Sequence, residues 1–329
     1  MEFADVARLA SGHVEARIVQ AAVELGIFDA LWGGSINSGT LATTLGLEPR
    51  ATELLLNALA ALKLLEKDSG TFSLATISEN YLVRQSPQYL GGMILFDASL
   101  WRCWEQLGDA VRTGKAVRPP NMYQENPKET ATFINAMDSL VKARGDAEIL
   151  VGSFHWEGVK NVLDIGSGPA TYPIALCRRF PELRATIFDL PGTLKVTERY
   201  VRDAQMEKQI RLVAGDYRSE AIPGNYDVVF LSNIIHGESD DENGRLIAKL
   251  YSALVPGGKI IIKDHILDET RAEPAVGAIF SLLMLLTTES GRCYSFNEIK
   301  AWLERAGFSQ IEKNDLPAPL TSSLVIGTR

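Results

Sequence analysis

The stretch Tyr226–Gly244, YDVVFLSNIIHGESDDENG, opens on a run of β-branched and aromatic residues and closes on a cluster of acids. An apolar run of this length, bounded by polar turn residues, reads as a strand buried on both faces of a sheet. The acidic end reads as the start of a helix. Ser239 stands three residues before Glu242, the spacing of a capping box, and Asp240 and Asp241 suit the positive end of a helix dipole. His236 lies between the two, four residues after Ser232, where the chain leaves the sheet.

The same strand-then-helix order recurs on either side. NVLDIG, ATIFDL, IRLVAGD and KIIIKDHI are short apolar runs, separated by helical segments such as PATYPIALCRRF and DDENGRLIAKLYSAL. From residue 156 to 329 this alternation predicts an α/β domain with a Rossmann-like, mostly parallel sheet and helices on both faces. Ligands of such sheets bind at the carboxyl ends of the strands.

Those ends carry a pattern. The first runs into LDIGSGPAT, where Gly166 and Gly168 permit a tight turn and close backbone approach by a ligand. A dinucleotide fingerprint wants a small third residue at position 171, where the chain has Thr171. Asp164, two residues before the first glycine, suits a ligand bearing positive charge better than a pyrophosphate. Asp189 ends the second strand, some twenty residues on, where a carboxylate can accept from ribose hydroxyls. Asp216 and Tyr217 end the third, placed to accept from an adenine amine and to cover its ring. Each acid taken singly reads equally as a loop cap. Together they describe a pocket for a nucleoside without phosphates, which S-adenosylmethionine (SAM) fits.

Residues 1–105 have a different pattern. Helical spacing from Val6 to about Leu90 predicts four helices, with Ser38 or Thr40 as an N-cap, and DSGTFSLATIS adds a turn and the alternating residues of a hairpin wing. The shape is that of a winged helix. Residues 1–100 nevertheless hold six basic against eleven acidic side chains, and the helix RATELLLNALAALKLL carries only Arg50 and Lys63 among its apolar residues. A DNA reader needs phosphate-neutralising charge and polar base-reading groups there. An apolar helix on an acidic domain instead suits a second copy of the chain. Residues 106–155 read as connecting helices, with RPPNMYQENP an irregular link between them. Trp101, Trp104, Phe133 and Met137 read as pocket walls or as core.

Composition bounds the rest. The chain has 329 residues, 46% hydrophobic and 22% charged, with a formal net charge of −8. Cys103, Cys177 and Cys293 lie far apart, without the spacing of a disulfide framework or a structural zinc. Ala275–Leu286, the longest apolar stretch, is too short to span a bilayer, and the first residues lack a signal-peptide layout. The expectation is a cytoplasmic protein that binds neither membrane nor nucleic acid.

In their order along the chain, AAVELGIFDAL, FSLATISENYL, LWRCWEQLGDAVRTGKA, FINAM, LDIGSGPA, FDLPG, AGDY, SNIIH, LVPGGKIIIKD and LERAGF resemble the SAM-dependent small-molecule O-methyltransferases typified by caffeate and acetylserotonin O-methyltransferases and bacterial secondary-metabolite enzymes. The resemblance spans nearly the whole chain. It implies a homodimer built through the N-terminal domain, a small-molecule acceptor and no metal. It puts Asp164, Gly166, Gly168, Asp189, Leu190, Asp216, Tyr217 and Ser232 at the cofactor, and Phe133, Met137, Met284 and Thr288 at the substrate wall.

It also implies that His236 is the general base, from the family's H-D-W-S-D-E type segment, with Asp264 as one of two supporting acids. A lone histidine at a strand end reads otherwise as a loop cap. The chain departs from the family where Cys293 takes the second acidic position and Glu238 the tryptophan. Those changes leave methyl transfer to nitrogen or carbon as an alternative to oxygen. A ligand-sensing winged-helix regulator and an NAD-binding oxidoreductase are the remaining competitors, disfavoured by the acidic N-terminal domain and by Thr171. His265 reads as packing, while His13 and His155 show no constellation.

Overall fold

The computed structural model describes residues 2–121 and 123–329; Met122, within the expected irregular link, lies outside them. The chain forms two compact units. One comprises the residues up to Trp101 together with Asn135–Arg144, the other Arg102–Ile134 and Gly145–Arg329. The expected connecting segment 106–155 is thus divided between them, and the helix Pro127–Arg144 passes from the second into the first.

The first unit is helical with a small sheet. Strands β1 (Ile36–Asn37), β2 (Leu65–Asp68) and β3 (Thr71–Leu74) lie in the order β1-β3-β2. The β2–β3 hairpin turns through Ser69 and Gly70, both at positive φ, the backbone a two-residue turn between twisted strands needs. The N-cap of the helix Ser38–Leu45 is Asn37, whose side chain accepts from Thr40 N, and not Ser38 or Thr40. Asn37 still has the extended backbone of a cap, whereas Ser38 is already helical. Ile27, Phe28, Leu41, Leu56, Leu59 and Phe72 form the core. The helix Phe3–Glu24 reaches past it: almost every residue from Phe3 to Arg17 is exposed, including Val6, Leu9 and Val14.

The second unit is built on β4 (Asn161–Ile165), β5 (Arg184–Asp189), β6 (Ile210–Ala214), β7 (Tyr226–Ser232), β8 (Leu254–Asp264), β9 (Ser309–Asp315) and β10 (Ser323–Thr328), in the order β6-β5-β4-β7-β8-β10-β9. Strands β4 to β8 pair in parallel, and β10 runs antiparallel between β8 and β9. The alternating pattern does not predict β9 or β10. Strand β9 is an edge strand exposed at nearly every position, so it lacks a buried stripe. Leu163, Val229, Ile260, Ile262 and Trp302 fill the space between sheet and helices, each such burial stabilising by ~1.5–3 kcal/mol. Lys263 lies in this interior and pairs with the equally buried Asp146 at 3.2 Å.

Order reverses between β4 and β7, which pair with each other although β5 and β6 lie between them in sequence. At such a point two loops leave in opposite directions and open a crevice beyond the strand ends. Among the described residues, no helix is long and apolar enough to cross a membrane.

Candidate active site

The turn after β4 is shaped by its glycines and held by an acid from β5. Gly166 has φ +65°, and a Cβ there would stand 2.5 Å from Ile234 Cδ1, so a side chain would face both backbone strain and a clash. Asp189 Oδ2 accepts from Gly168 N at 2.9 Å and Oδ1 from Leu190 N at 2.7 Å. The Thr197 hydroxyl donates to Gly168 O at 2.6 Å. Asp189 therefore fixes both its own turn and the glycine turn, and the Thr193 side chain hydrogen-bonds to the same carboxylate. Burial pushes its carboxyl up to about 6, against the opposing pull of those N–H groups.

Asp164 is different. It is buried, and neither carboxylate oxygen has a hydrogen-bond partner in the chain. Burial pushes it up to about 8, and the charge of Asp189 adds to the rise although the Ser167 hydroxyl beside it opposes. Seven buried side-chain polar atoms without a partner are found among the described residues. Five of them, on Asp164, Ser167, Asn233 and Asp264, sit at the carboxyl ends of β4, β7 and β8, where a ligand would supply what the chain does not. Asn233, at φ +58°, holds a left-handed conformation just before the His236 turn.

At the end of β6, Asp216 caps its own turn, accepting from Arg218 N at 2.8 Å. Tyr217 is partly buried and its hydroxyl donates to Glu238 at 2.7 Å. Ser232 ends β7, half-buried, and pairs in register with Lys263.

His236 lies in the single 3₁₀ turn Ile235–Gly237 just beyond β7. Its Nδ1 stands 2.8 Å from Oδ1 of Asp264, the last residue of β8, with 12% of the histidine side chain and 2% of the aspartate exposed. Burial opposes ionisation of Asp264, yet the His236 and His265 imidazoles and the His265 N–H hold its carboxyl below the usual value. An ionised Asp264 requires the proton on His236 Nδ1, which leaves Nε2 as the basic nitrogen. Phe280 meets the ring edge-on at 4.8 Å between centroids.

The turn itself is fixed from several sides. Asn243 Nδ2 donates to Ile235 O at 2.8 Å and the Tyr294 hydroxyl to Glu238 O at 2.6 Å. A Cβ on Gly291 would stand 2.3 Å from His236 O, so that backbone passes the histidine at a distance only glycine allows. Ser239 and Glu242 form the capping box expected from their spacing.

Of the expected substrate-wall residues, Phe133 stacks on Tyr123 with centroids 4.6 Å apart. Met284 is buried, and the buried Thr288 donates to Met284 O and accepts from Gly291 N. Met137 belongs to the first unit and the other three to the second. His265 packs beside Phe280 and approaches Thr321 O with Nδ1. Cys293 is buried and its thiol is pushed up to about 12 by burial and by the charge of Asp264, the opposite of a nucleophile's environment. Glu238 and Gly291 are invisible as site residues from spacing alone. The one sequence signal for Glu238 is its place where the family pattern has tryptophan.

Two family patterns match the chain, an O-methyltransferase domain over residues 104–309 and an O-methyltransferase dimerisation domain over residues 7–84. The chain belongs to the O-methyltransferase family. Within the family, it is 31% identical to the tetracenomycin polyketide synthesis 8-O-methyl transferase of Streptomyces glaucescens, across 99% of this chain and 96% of that one. It is 30% identical to the 3-hydroxy-5-methyl-1-naphthoate 3-O-methyltransferase of Streptomyces sahachiroi, across 98% and 94%. Among solved structures, PigF with S-adenosylhomocysteine (SAH) superimposes with a TM-score of 0.90 at 26% identity over the full length of both chains. Human N-acetylserotonin methyltransferase in complex with SAM, at 24% identity, shares the fold with a TM-score of 0.90 over 100% of this chain and 98% of that one. The protein is thus a SAM-dependent O-methyltransferase of small metabolites, with the class I methyltransferase sheet following an N-terminal dimerisation domain along the chain. Among the described residues, no group of three or more His, Cys, Asp or Glu side chains is arranged to hold a metal ion.

Proposed function

We propose that the enzyme methylates a hydroxyl on an aromatic ring of a small metabolite, with His236 as general base and Asp264 as its supporting carboxylate. The observation that carries this reading is the 2.8 Å contact between His236 Nδ1 and the buried Asp264 at the carboxyl ends of β7 and β8. A phenol of pKa about 10 is mostly protonated at neutral pH, so its oxygen needs a base as the new bond forms. His236 Nε2 accepts that proton. Asp264 holds the tautomer and stabilises the imidazolium. Phe280 packs edge-on against the imidazole, and both His236 and Asp264 are little exposed.

SAM supplies an electrophilic methyl group on a sulfonium, so the chain's remaining task is to hold and orient. The residues at the strand ends fit it. The unpartnered carboxylate of Asp164 and the glycine turn at Gly166 and Gly168 suit a methionine moiety with its ammonium group. Asp189 and Leu190 suit the ribose, Asp216 and Tyr217 the adenine, and Ser232 borders the same crevice. In this reading Phe133, Met284 and Thr288 of the second unit are acceptor-wall residues, and no metal takes part. The relatives that act on a polyketide and on a hydroxynaphthoate support a ring hydroxyl as the acceptor group.

The functional unit is a homodimer through the N-terminal domain, supported by the match over residues 7–84 and by the exposed Phe3, Val6, Leu9 and Val14 on one helix. Three free, buried thiols suit a cytoplasmic setting.

The test is a screen of phenolic naphthoates and polycyclic aromatics with SAM, read by mass spectrometry for addition of one methyl group. Wild type yields an O-methyl product and His236→Ala does not. An N- or C-methyl product, or equal turnover by His236→Ala, contradicts the reading.

A further inference from the structure

Glu238 stands two residues beyond His236 and is 2% exposed, although the polar run Ser239, Asp240 and Asp241 follows it directly. A buried carboxylate is costly unless it is well paired, and this one is. Arg218 Nε contacts both of its oxygens, at 2.9 and 3.0 Å, and Arg218 Nη2 reaches Oε1 at 2.7 Å. The Tyr217 hydroxyl donates to the same Oε1 at 2.7 Å. The backbone carbonyl of Glu238 in turn accepts from Tyr294.

Tyr217 and Arg218 belong to the loop after β6, the loop that begins with Asp216. A second brace holds that loop to the same neighbourhood: Lys249, on the helix Asp240–Ala253, donates to the carbonyls of Tyr217, Arg218 and Glu220 at 2.9–3.1 Å. The side chains of the loop are thus tied to the His236 turn by Glu238, and its backbone to the next helix by Lys249. A tryptophan at 238 has no acceptor for a tyrosine hydroxyl and no charge for an arginine.

We propose that Glu238 is a positioning residue that joins the cofactor loop to the base turn, orienting Tyr217 through its hydroxyl and thereby setting the affinity for SAM. This rests on the reading that Asp216 and Tyr217 belong to the cofactor site. With Glu238 in place, the loop after β6 and the turn carrying His236 are held as one piece. Without it, the Tyr217 hydroxyl loses the carboxylate that orients it, and the backbone ties to Lys249 are left to hold the loop.

Calorimetric titration with SAH tests this on wild type, Glu238→Ala, Glu238→Gln, Tyr217→Phe and the double variant Glu238→Ala/Tyr217→Phe, with thermal unfolding of each as a control for folding. Asp189→Ala reports on the cofactor site independently. A hydrogen bond to a charged group corresponds to roughly a tenfold effect or more on binding, so Glu238→Ala and Tyr217→Phe each weaken SAH by about that factor. Glu238→Gln keeps an acceptor for the tyrosine and stays within about threefold of wild type. The double variant binds no more weakly than the weaker single variant, because both remove the same contact. If wild type binds SAH and Asp189→Ala does not, while a folded Glu238→Ala binds within about twofold of wild type, the cofactor site stands and the positioning role is wrong. Additive losses in the double variant overturn it as well. If wild type fails to bind SAH, the cofactor reading itself fails.

Discussion

The two ends of the candidate site differ in where their partners come from. Around His236 the chain itself partners the imidazole and the turn, through Asp264 for the imidazole, Asn243 and Tyr294 for the backbone and Glu238 for the neighbouring loop, leaving single oxygens of Asp264, Asn233 and Asn243 unpaired. Around the glycine turn it withholds. Asp164 is buried with both oxygens unpaired, and the Ser167 hydroxyl beside it has no partner either. A base must be preorganised before its substrate arrives, because reorganisation at the moment of reaction adds to the barrier. A cradle for a charged ligand is left incomplete in the free protein, since groups already satisfied would have nothing to gain from binding.

The largest effect falls on the preorganised end. His236→Ala lowers kcat by roughly 10²- to 10⁴-fold, the usual contribution of a general base, while leaving SAH affinity near that of wild type. A comparable loss of SAH affinity would erase the distinction between the two ends. Next comes Gly291→Ala, which forces the His236 backbone to move. A displacement of about 1 Å near the chemistry costs up to about 10² in rate, so kcat falls without a matching change in SAH binding. Steady-state kinetics with an acceptor from the screen separates the two parameters.

At the incomplete end the effects are smaller and depend on pH. The carboxyl of Asp164 is raised in the folded protein from its ordinary 3.8 to about 8. Its neutral form is the one the fold favours. The destabilisation is absent below the unfolded value, grows as pH rises, and is complete above about 8. Asp164→Asn therefore stabilises the ligand-free protein at pH 8–9 by about 1–3 kcal/mol and changes little near pH 4; thermal melts at the two pH values check this. Binding of an ammonium-bearing ligand at pH 7 releases a proton from Asp164. Calorimetry in buffers of different ionisation enthalpy detects that proton in wild type and not in Asp164→Asn. No proton release would place the ligand's cationic group elsewhere. Smallest is Tyr294→Phe, which removes one hydrogen bond behind the His236 turn and costs about 1 kcal/mol of unfolding free energy.

Much of the fold and part of the site are legible in the sequence, and the reasons are physical. Of the parallel strands, β4, β5, β7 and β8 are mostly buried and so read as apolar runs, and the edge strand β6 is partly exposed but still apolar at four of its five positions, whereas β9 is exposed along nearly its whole length and leaves no stripe. Ser239 and Glu242 form a local cap whose two halves are three residues apart, so spacing alone finds them. Asn37 is hard to pick out as the N-cap because Ser38 and Thr40 are equally competent beside it and only the backbone angles decide. Contacts that join distant segments leave no such trace. Nothing local shows that Glu238 meets Tyr217 twenty-one residues away or that Gly291 passes close to His236. The replacement of tryptophan by Glu238 looks in the sequence like the loss of a family feature, and the structure shows a buried acid with two partners of its own.

Calorimetric titration of wild type, Asp189→Ala and His236→Ala with SAH tests most directly whether the glycine-turn end holds the cofactor and the His236 end serves the chemistry. Wild type is expected to bind, Asp189→Ala to bind at least about tenfold more weakly, and His236→Ala to bind within about twofold of wild type. No binding by wild type, or a loss in His236→Ala equal to that in Asp189→Ala, would contradict that division.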